Sequence, residues 1–411
     1  MNSKHWAVFI NNKSHKSEFI RSILKGAPPN ALEPLTALRG ALFSKMAIEQ
    51  FMDEENRHGT KIIAKHSQQS PQSMSSGEQK KALLNYLLQR KPDFILLDNP
   101  FDNLDIDSQE KLTVTLTENS VRTIFVLLIS RKNDLLPFIK NYAILNESKL
   151  SIQKDLDFLV DHSKKIPFSG TIPVPLHTIV YEGDELVALH NNTIRFGDNT
   201  ILKKISWTIK KGEFWQLIGK NGSGKTTILS MITGENPKGY GQDLFLFGQK
   251  KGSGESIWDI KQKIGYFTPA MTDKFTGYHS VEHMLISGLN DSIGLYIKPT
   301  EAQLRLAKKW LLLIGMWAIK GKRFHDLSMG QKRLVMTVRA MIKHPLLLIL
   351  DEPTAGLDDA SAALLVALVN KIARESDIAT IFVSHRKEPG LEPDNIYELI
   401  MTENGSVGFV K

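Results

Sequence analysis

Residues Gly219-Lys220-Asn221-Gly222-Ser223-Gly224-Lys225-Thr226 follow the spacing G-x-x-x-x-G-K-T. Glycines let successive backbone N–H groups turn inward and form an anion cradle at a helix N-terminus. A lysine at that point reaches β- and γ-phosphate oxygens, the Thr226 hydroxyl is set to ligate Mg²⁺, and Thr227 follows on the same helical turn. Much later, the apolar run LLLIL ends on Asp351-Glu352. Asp351 is expected to complete a Mg²⁺ shell, and Glu352 to accept a proton from, or orient, the water that attacks the γ-phosphate. His385 ends a further apolar run, TIFVSH, where ligand sites of open α/β sheets form, and is the candidate γ-phosphate contact. Phe196 lies upstream of the glycine loop and is the candidate to stack on adenine, with an ordinary core phenylalanine as the competing reading.

These side chains need strands to deliver them and helices to receive the loops. FWQLIG (214–219) is a short apolar run entering the glycine loop, and TTILSMI after it has helical spacing. Short, fully apolar runs between helices suit strands of a parallel sheet covered on both faces. The fold class is therefore α/β.

The carboxylate device is written twice. FILLDNPFDNLD (94–105) parallels LLILDEPTAGLD (347–358), and an offset of 253 carries Asp351 onto Asp98, Leu357 onto Leu104 and Asp358 onto Asp105. The same offset carries Gly330 of LSMGQKRLVM onto Gly77 of MSSGEQKKALL, and Glu352 onto Asn99. The chain reads as a tandem duplication: residues 1–160, a linker at 161–184 with the boundary near 175, and residues 185–411. The first copy is the shorter and lacks much of a middle subdomain.

The first copy has also lost chemistry. VFINNKSHKSEFIRSIL (8–24) sets Lys16-Ser17 opposite Lys225-Thr226, but its loop is one residue shorter and holds no glycine. Without glycine, positive φ is resisted and the cradle is not expected. Asn99 cannot accept a proton, and TIFVLLISRK ends on Ser130-Arg131 with no histidine.

Composition agrees with a soluble globular chain: 42% hydrophobic, 23% charged and a net charge of +8. With no cysteine, disulfides and thiolate metal sites are excluded. The first residues show no basic-then-apolar leader. The longest apolar stretch, WLLLIGMWAI (310–319), is half the roughly 20 residues a membrane span needs and is expected to be a buried helix.

LSMGQ, LDEP, AGLD and a strand-end histidine, in that order after a phosphate loop, resemble the ATP-binding cassette (ABC) ATPases. Residues 185–411 carry nearly the whole set and residues 5–150 a degraded one. The resemblance implies two tandem P-loop NTPase (ABC-type) domains, each a mostly parallel sheet flanked by helices, the N-terminal one reduced. It also implies ATP and Mg²⁺ as cofactors and ATP hydrolysis as the activity. In this family each ATP is held between one cassette's phosphate loop and the other's signature motif. That assigns Ser75, Ser76, Gly77 and Glu78 to the γ-phosphate side of the C-terminal site, and Asp105 and Asp358 to the loops that communicate between cassettes. Pairing of two halves within one chain implies a monomer in the cytoplasm, peripheral to the inner membrane face where a separate permease chain is its partner. Nucleic acid or the ribosome is the weaker candidate, since 161–187 is short and proline-bearing rather than long, charged and helical. More narrowly, the chain is similar to tandem-cassette ABC proteins assigned to molybdenum transport and photorepair. One departure stands out: Pro269 occupies the register at which the family has a glutamine that touches Mg²⁺ and the attacking water.

Overall fold

The computed structural model describes residues 4–58, 62–63, 74–157, 168–275, 277–385 and 388–411. Contacts divide the chain into two units, Met1–His162 with Gly356–Asp359, and Ser163–Ala355 with Ala360–Lys411. The start of the expected linker, 161–167, lies outside the described residues.

In the first unit the strands are β1 (Trp6–Ile10), β2 (Gly40–Phe43), β3 (Phe94–Asp98), β4 (Ile124–Ile129), β5 (Asn141–Asn146) and β6 (Lys149–Gln153), with α1 (Lys16–Leu24), α2 (Lys45–His58), α3 (Ser76–Gln89) and α4 (Ile106–Asn119) between them. They form one sheet in the order β2-β3-β4-β1-β5-β6, parallel except for the β5–β6 hairpin. Alternation along each strand separates two cores. Val8, Leu96, Val126 and Leu128 pack with Phe19, Ile20 and Ile23 of α1. Ala7, Ile95, Leu97, Phe125 and Leu127 pack with Leu83, Leu84 and Leu87 of α3 and with Leu112 and Leu116 of α4. Both faces are covered, which is why these strands are apolar throughout.

The second unit opens with the coil 168–183. Phe168 and Ile172 are buried, and the Ile172 N–H donates to Glu375 Oε2 at 3.2 Å. This stretch packs on the second unit. β7 (Glu185–Phe196) and β8 (Asn199–Lys210) form a long hairpin, joined by β10 (Leu244–Leu246) and β11 (Gln249–Lys250) in an antiparallel sheet ordered β11-β10-β7-β8. The main sheet holds β9 (Phe214–Gly219), β12 (Ile264–Phe267), β13 (Leu347–Asp351), β14 (Ala379–Val383), β15 (Asn395–Ile400) and β16 (Val407–Val410), ordered β12-β13-β14-β9-β15-β16. Position by position, this is the order of the first unit's sheet. The helices are α5 (Lys225–Ile232), α6 (Ile257–Lys263), α7 (Pro269–Lys274), α8 (Val281–Ser287), α9 (Glu301–Leu313), α10 (Met329–Met341) and α11 (Asp359–Glu375). α5 is fastened under the sheet by Ile228, Leu229, Met231 and Ile232, each fully buried and each worth about 2 kcal/mol of apolar transfer.

The apolar stretch 310–319 is not one buried helix. α9 ends at Leu313, Gly315 takes φ +68°, and Trp317–Ile319 form a separate 3-10 turn. Trp310 is fully buried, whereas Leu312 faces solvent. A glycine in the left-handed region ended the helix where hydrophobicity alone suggested continuation.

β12 lies close against α10, and glycine is required for that approach. A Cβ on Gly265 would sit 2.2 Å from the Ala340 carbonyl oxygen and 2.9 Å from Pro345 Cγ. Gly265→Ala is expected to destabilise the second unit by about 3 kcal/mol, an overpacking cost, and to lower its urea midpoint. An unchanged midpoint would show that this contact has slack.

Candidate nucleotide site

β9 delivers the chain at Gly219 and α5 begins six residues later at Lys225. Gly224 caps α5 at φ +92°, and a Cβ there would lie 2.5 Å from Leu202 Cδ2. Gly222 takes φ +79° with open space around it. Dihedrals of this kind let a glycine-rich loop present amides to an anion at a helix N-terminus, and the Ser223 N–H here donates to the Lys220 carbonyl at 3.1 Å. Lys225 is 6% exposed, and its Nζ donates to the carbonyl oxygens of Gly219 at 2.7 Å and Lys220 at 3.0 Å. Those bonds offset the desolvation of a buried ammonium. Ser223 Oγ is buried with no hydrogen-bond partner among the described residues, and Thr226 is exposed on the first turn of α5.

Asp351 ends β13 beside Val383 of β14. Burial pushes its carboxyl up to about 6 and Glu352 adds to the rise, while Lys225, His385 and a hydrogen bond from Tyr266 pull the other way. The sequence-predicted Lys225, Asp351, Glu352 and His385 therefore act on one another. Glu352 sits at φ +52°, a left-handed conformation that non-glycine residues take at a cost, and its N–H donates to the Val383 carbonyl at 3.0 Å. Its Oε1 is in direct contact with His385 Nε2, and His385 Nδ1 is buried with no partner among the described residues. Gln216 Nε2 donates to Ser384 Oγ at 3.2 Å, tying the histidine's strand end to β9. The Thr354 hydroxyl donates to the buried Glu388 carboxylate at 2.6 Å, which fixes the loop after Glu352.

Mg²⁺ takes one or two protein oxygens and completes its shell with phosphate and water. The Asp351 carboxylate, desolvated and faced by Lys225, and the exposed Thr226 hydroxyl at the start of α5 fit such a shell. Phe196 is 45% exposed with Lys238 Nζ 5.6 Å from its ring centroid, so it is not an ordinary core residue. Tyr266 and the Thr354–Glu388 bond escaped the sequence reading. The available signal was strand register, which no short motif carries.

The first unit arranges the same positions differently. Lys16 Nζ is 3.1 Å from Asp98 Oδ1. Burial raises the Asp98 carboxyl above its usual range against the pull of Lys16. The β1–α1 loop uses its own amides. The Asn11 N–H donates to Ser14 Oγ at 2.9 Å, Lys13 N–H to Asn11 Oδ1 at 2.8 Å, Ser14 N–H to the Asn11 carbonyl at 3.0 Å and His15 N–H to the Glu147 carbonyl at 2.8 Å. Asn99 keeps the backbone of Glu352, with φ +43° and an N–H bond of 2.9 Å to the Leu128 carbonyl.

The two signature serines share one backbone geometry, Ser75 and Ser328 both capping their helices at φ −62° and ψ 159°. Ser75 donates from its N–H and its hydroxyl to Glu78 Oε2, each at 2.8 Å, and these bonds lower the Glu78 carboxyl below its usual range. Ser328 donates its N–H to the neutral Gln331 side chain at 3.1 Å. Ser76 Oγ donates to the Asn103 carbonyl at 3.1 Å, and a Cβ on Gly77 would meet Ser108 Oγ at 3.4 Å.

The ABC transporter family profile matches residues 202–355. The ABC transporter ATP-binding protein ModF of Escherichia coli is 32% identical over 93% of this chain and 88% of its own length. An uncharacterized ABC transporter ATP-binding protein of Schizosaccharomyces pombe is 27% identical over 94% of this chain and 90% of its own. Among solved structures, a ribosome-bound archaeal Pelota and ABCE1 structure covers 98% of this chain and 74% of the matched chain, with a TM-score of 0.65. At 15% identity that likeness shows the fold alone. No helix of the described residues is long and apolar enough to cross a membrane. Full-length similarity, two sheets of one strand order and the glycine loop lead to one conclusion: the chain belongs to the ATP-binding cassette ATPases, with two cassettes in tandem.

Proposed function

We propose that the protein binds and hydrolyses MgATP at one competent site built on the second cassette. The observation that carries this reading is the convergence of Lys225, Asp351, Glu352 and His385 in the second cassette, where the first has a Lys16–Asp98 ion pair and Asn99. Gly219 to Thr227 hold the phosphates, with Lys225 supplying charge to the β- and γ-oxygens. Asp351 and Thr226 would hold Mg²⁺, which when bound would offset the negative charge of the phosphates. Glu352 orients the attacking water and accepts its proton, and His385 holds the γ-phosphate and steadies the Glu352 carboxylate. Phe196 stacks on the adenine. By family resemblance, Ser75, Ser76, Gly77 and Glu78 serve as the signature for this same ATP.

In the same reading, the ATPase cycle drives a transport system through a separate membrane chain. This is supported by the name of the ModF relative; the molybdate-type solute rests on the narrower sequence resemblance. Pull-down with the ATP-trapped Glu352→Gln protein tests it. Recovery of a membrane-spanning chain supports transport, and recovery of ribosomal or other soluble partners alone overturns it.

Glu352→Gln is expected to cut phosphate release by about 10²–10⁴-fold, the usual loss with a general base, while ATP stays bound. Asn99→Gln is expected to leave turnover within about twofold. Loss of most activity in Asn99→Gln would put chemistry in the first cassette.

Asp98 offers a pH test of the filled first site. Because its folded pKa is raised, the folded state binds more protons than the unfolded chain above 3.8, and stability falls as pH rises through the raised value. Asp98→Asn removes that fall. The variant should gain stability relative to wild type as pH rises upward from 3.8, read from urea midpoints. A difference that does not change with pH would contradict a desolvated, lysine-paired carboxylate.

A further inference from the structure

We propose that Tyr266 is a positioning residue that orients the Asp351 carboxylate for Mg²⁺, an inference resting on the reading of Asp351 as metal ligand. Tyr266 of β12 pairs with Ile349 of β13. Asp351 lies two residues beyond Ile349, so it emerges on the same sheet face as Tyr266. The Tyr266 ring packs against the apolar core under this sheet, and its hydroxyl is set toward the Asp351 carboxylate as the nearby donor. A tyrosine has two side-chain torsions, and packing holds them, so the hydroxyl is a fixed donor. Engaging one carboxylate lone pair leaves the others for a metal ion. Carboxylates that ligate metals are commonly held in this way by a second hydrogen bond.

Two further observations point to Tyr266. Pro269, at the register of the family's metal-contacting glutamine, begins α7 and has no side-chain donor or acceptor. Tyr266 is thus the residue through which β12 reaches the metal ligand. The duplicated first cassette supplies the comparison. There Leu42 of β2 pairs with Leu96, two residues before Asp98. Leu42 holds the position of Tyr266, and Asp98 is met by Lys16 instead. The cassette with a hydrolytic carboxylate has the hydroxyl; the cassette with Asn99 has a leucine.

The test uses the full chain carrying Glu352→Gln, loaded with ATP, and titrates Mn²⁺ by electron paramagnetic resonance of the free ion. Tyr266→Phe keeps the ring and removes the donor. Mn²⁺ affinity should fall by about tenfold, the lower end of what loss of such a support costs. ATP binding in EDTA and the melting temperature without metal should stay unchanged. In the otherwise wild-type enzyme, the Mg²⁺ requirement should rise by a similar factor, with kcat restored at high Mg²⁺. Unchanged Mn²⁺ affinity would overturn the proposal. So would an equal loss of metal-free ATP binding, or a lowered melting temperature without loss of affinity, since each marks a packing role. Asp351→Asn separates the underlying reading: if it too leaves Mn²⁺ affinity intact, Asp351 is not the ligand and the MgATP site itself is misassigned.

Discussion

A carboxylate at the end of a buried parallel strand must be met by something, or it protonates. Both cassettes end a fully apolar strand on aspartate, at Asp98 and at Asp351, and in both burial is the largest influence on the carboxyl. The first cassette meets its aspartate with the ammonium of Lys16 at 3.1 Å. The second surrounds its aspartate with Lys225, His385 and the Tyr266 hydroxyl, while Glu352 adds a like charge. An arrangement with a second carboxylate beside the first is one that gains from a divalent cation. The difference between a closed site and an open one therefore lies in whether the lysine contacts the strand-end carboxylate or is held on loop carbonyls.

The loop decides which of these occurs. In the second cassette, positive φ at Gly222 and Gly224 lets the chain wind around its own cavity and brings the carbonyls of Gly219 and Lys220 to Lys225 Nζ. In the first, one residue fewer and no glycine leave a turn whose amides bond to Asn11, Ser14 and Glu147. A bound phosphate there would have to displace bonds already made within the turn. Restoring glycine alone would not reopen the cradle, because the side-chain acceptors Asn11 and Ser14 would still claim the amides.

Much of this was legible in the sequence because duplication and loop motifs are local. The offset of 253, the glycine loop and the strand-end carboxylates depend on neighbours in the chain. What stayed hidden is cross-strand. Tyr266 reaches Asp351 through register between β12 and β13, and Lys16 reaches Asp98 across a similarly long separation. The stretch 310–319 was misread for a related reason: hydrophobicity carries no mark of the positive φ that Gly315 adopts. The coil 168–183 read as linker by its prolines, yet Phe168 and Ile172 are buried against the second unit.

The backbone at Asn99 and Glu352 shows what the duplication kept and what it let go. Both residues take left-handed φ, and both donate their N–H to the neighbouring strand's carbonyl. Asparagine accepts that conformation more readily than glutamate does. The strained glutamate persists in the cassette that also holds His385 against it, and the relaxed asparagine sits in the cassette that ends on Ser130-Arg131. Strain of this kind clusters at functional sites, and it is the second cassette that carries it on a side chain disfavoured in that conformation. The same backbone serves both residues, so the two cassettes differ here by side-chain replacement, with sheet order and strand-end turn alike.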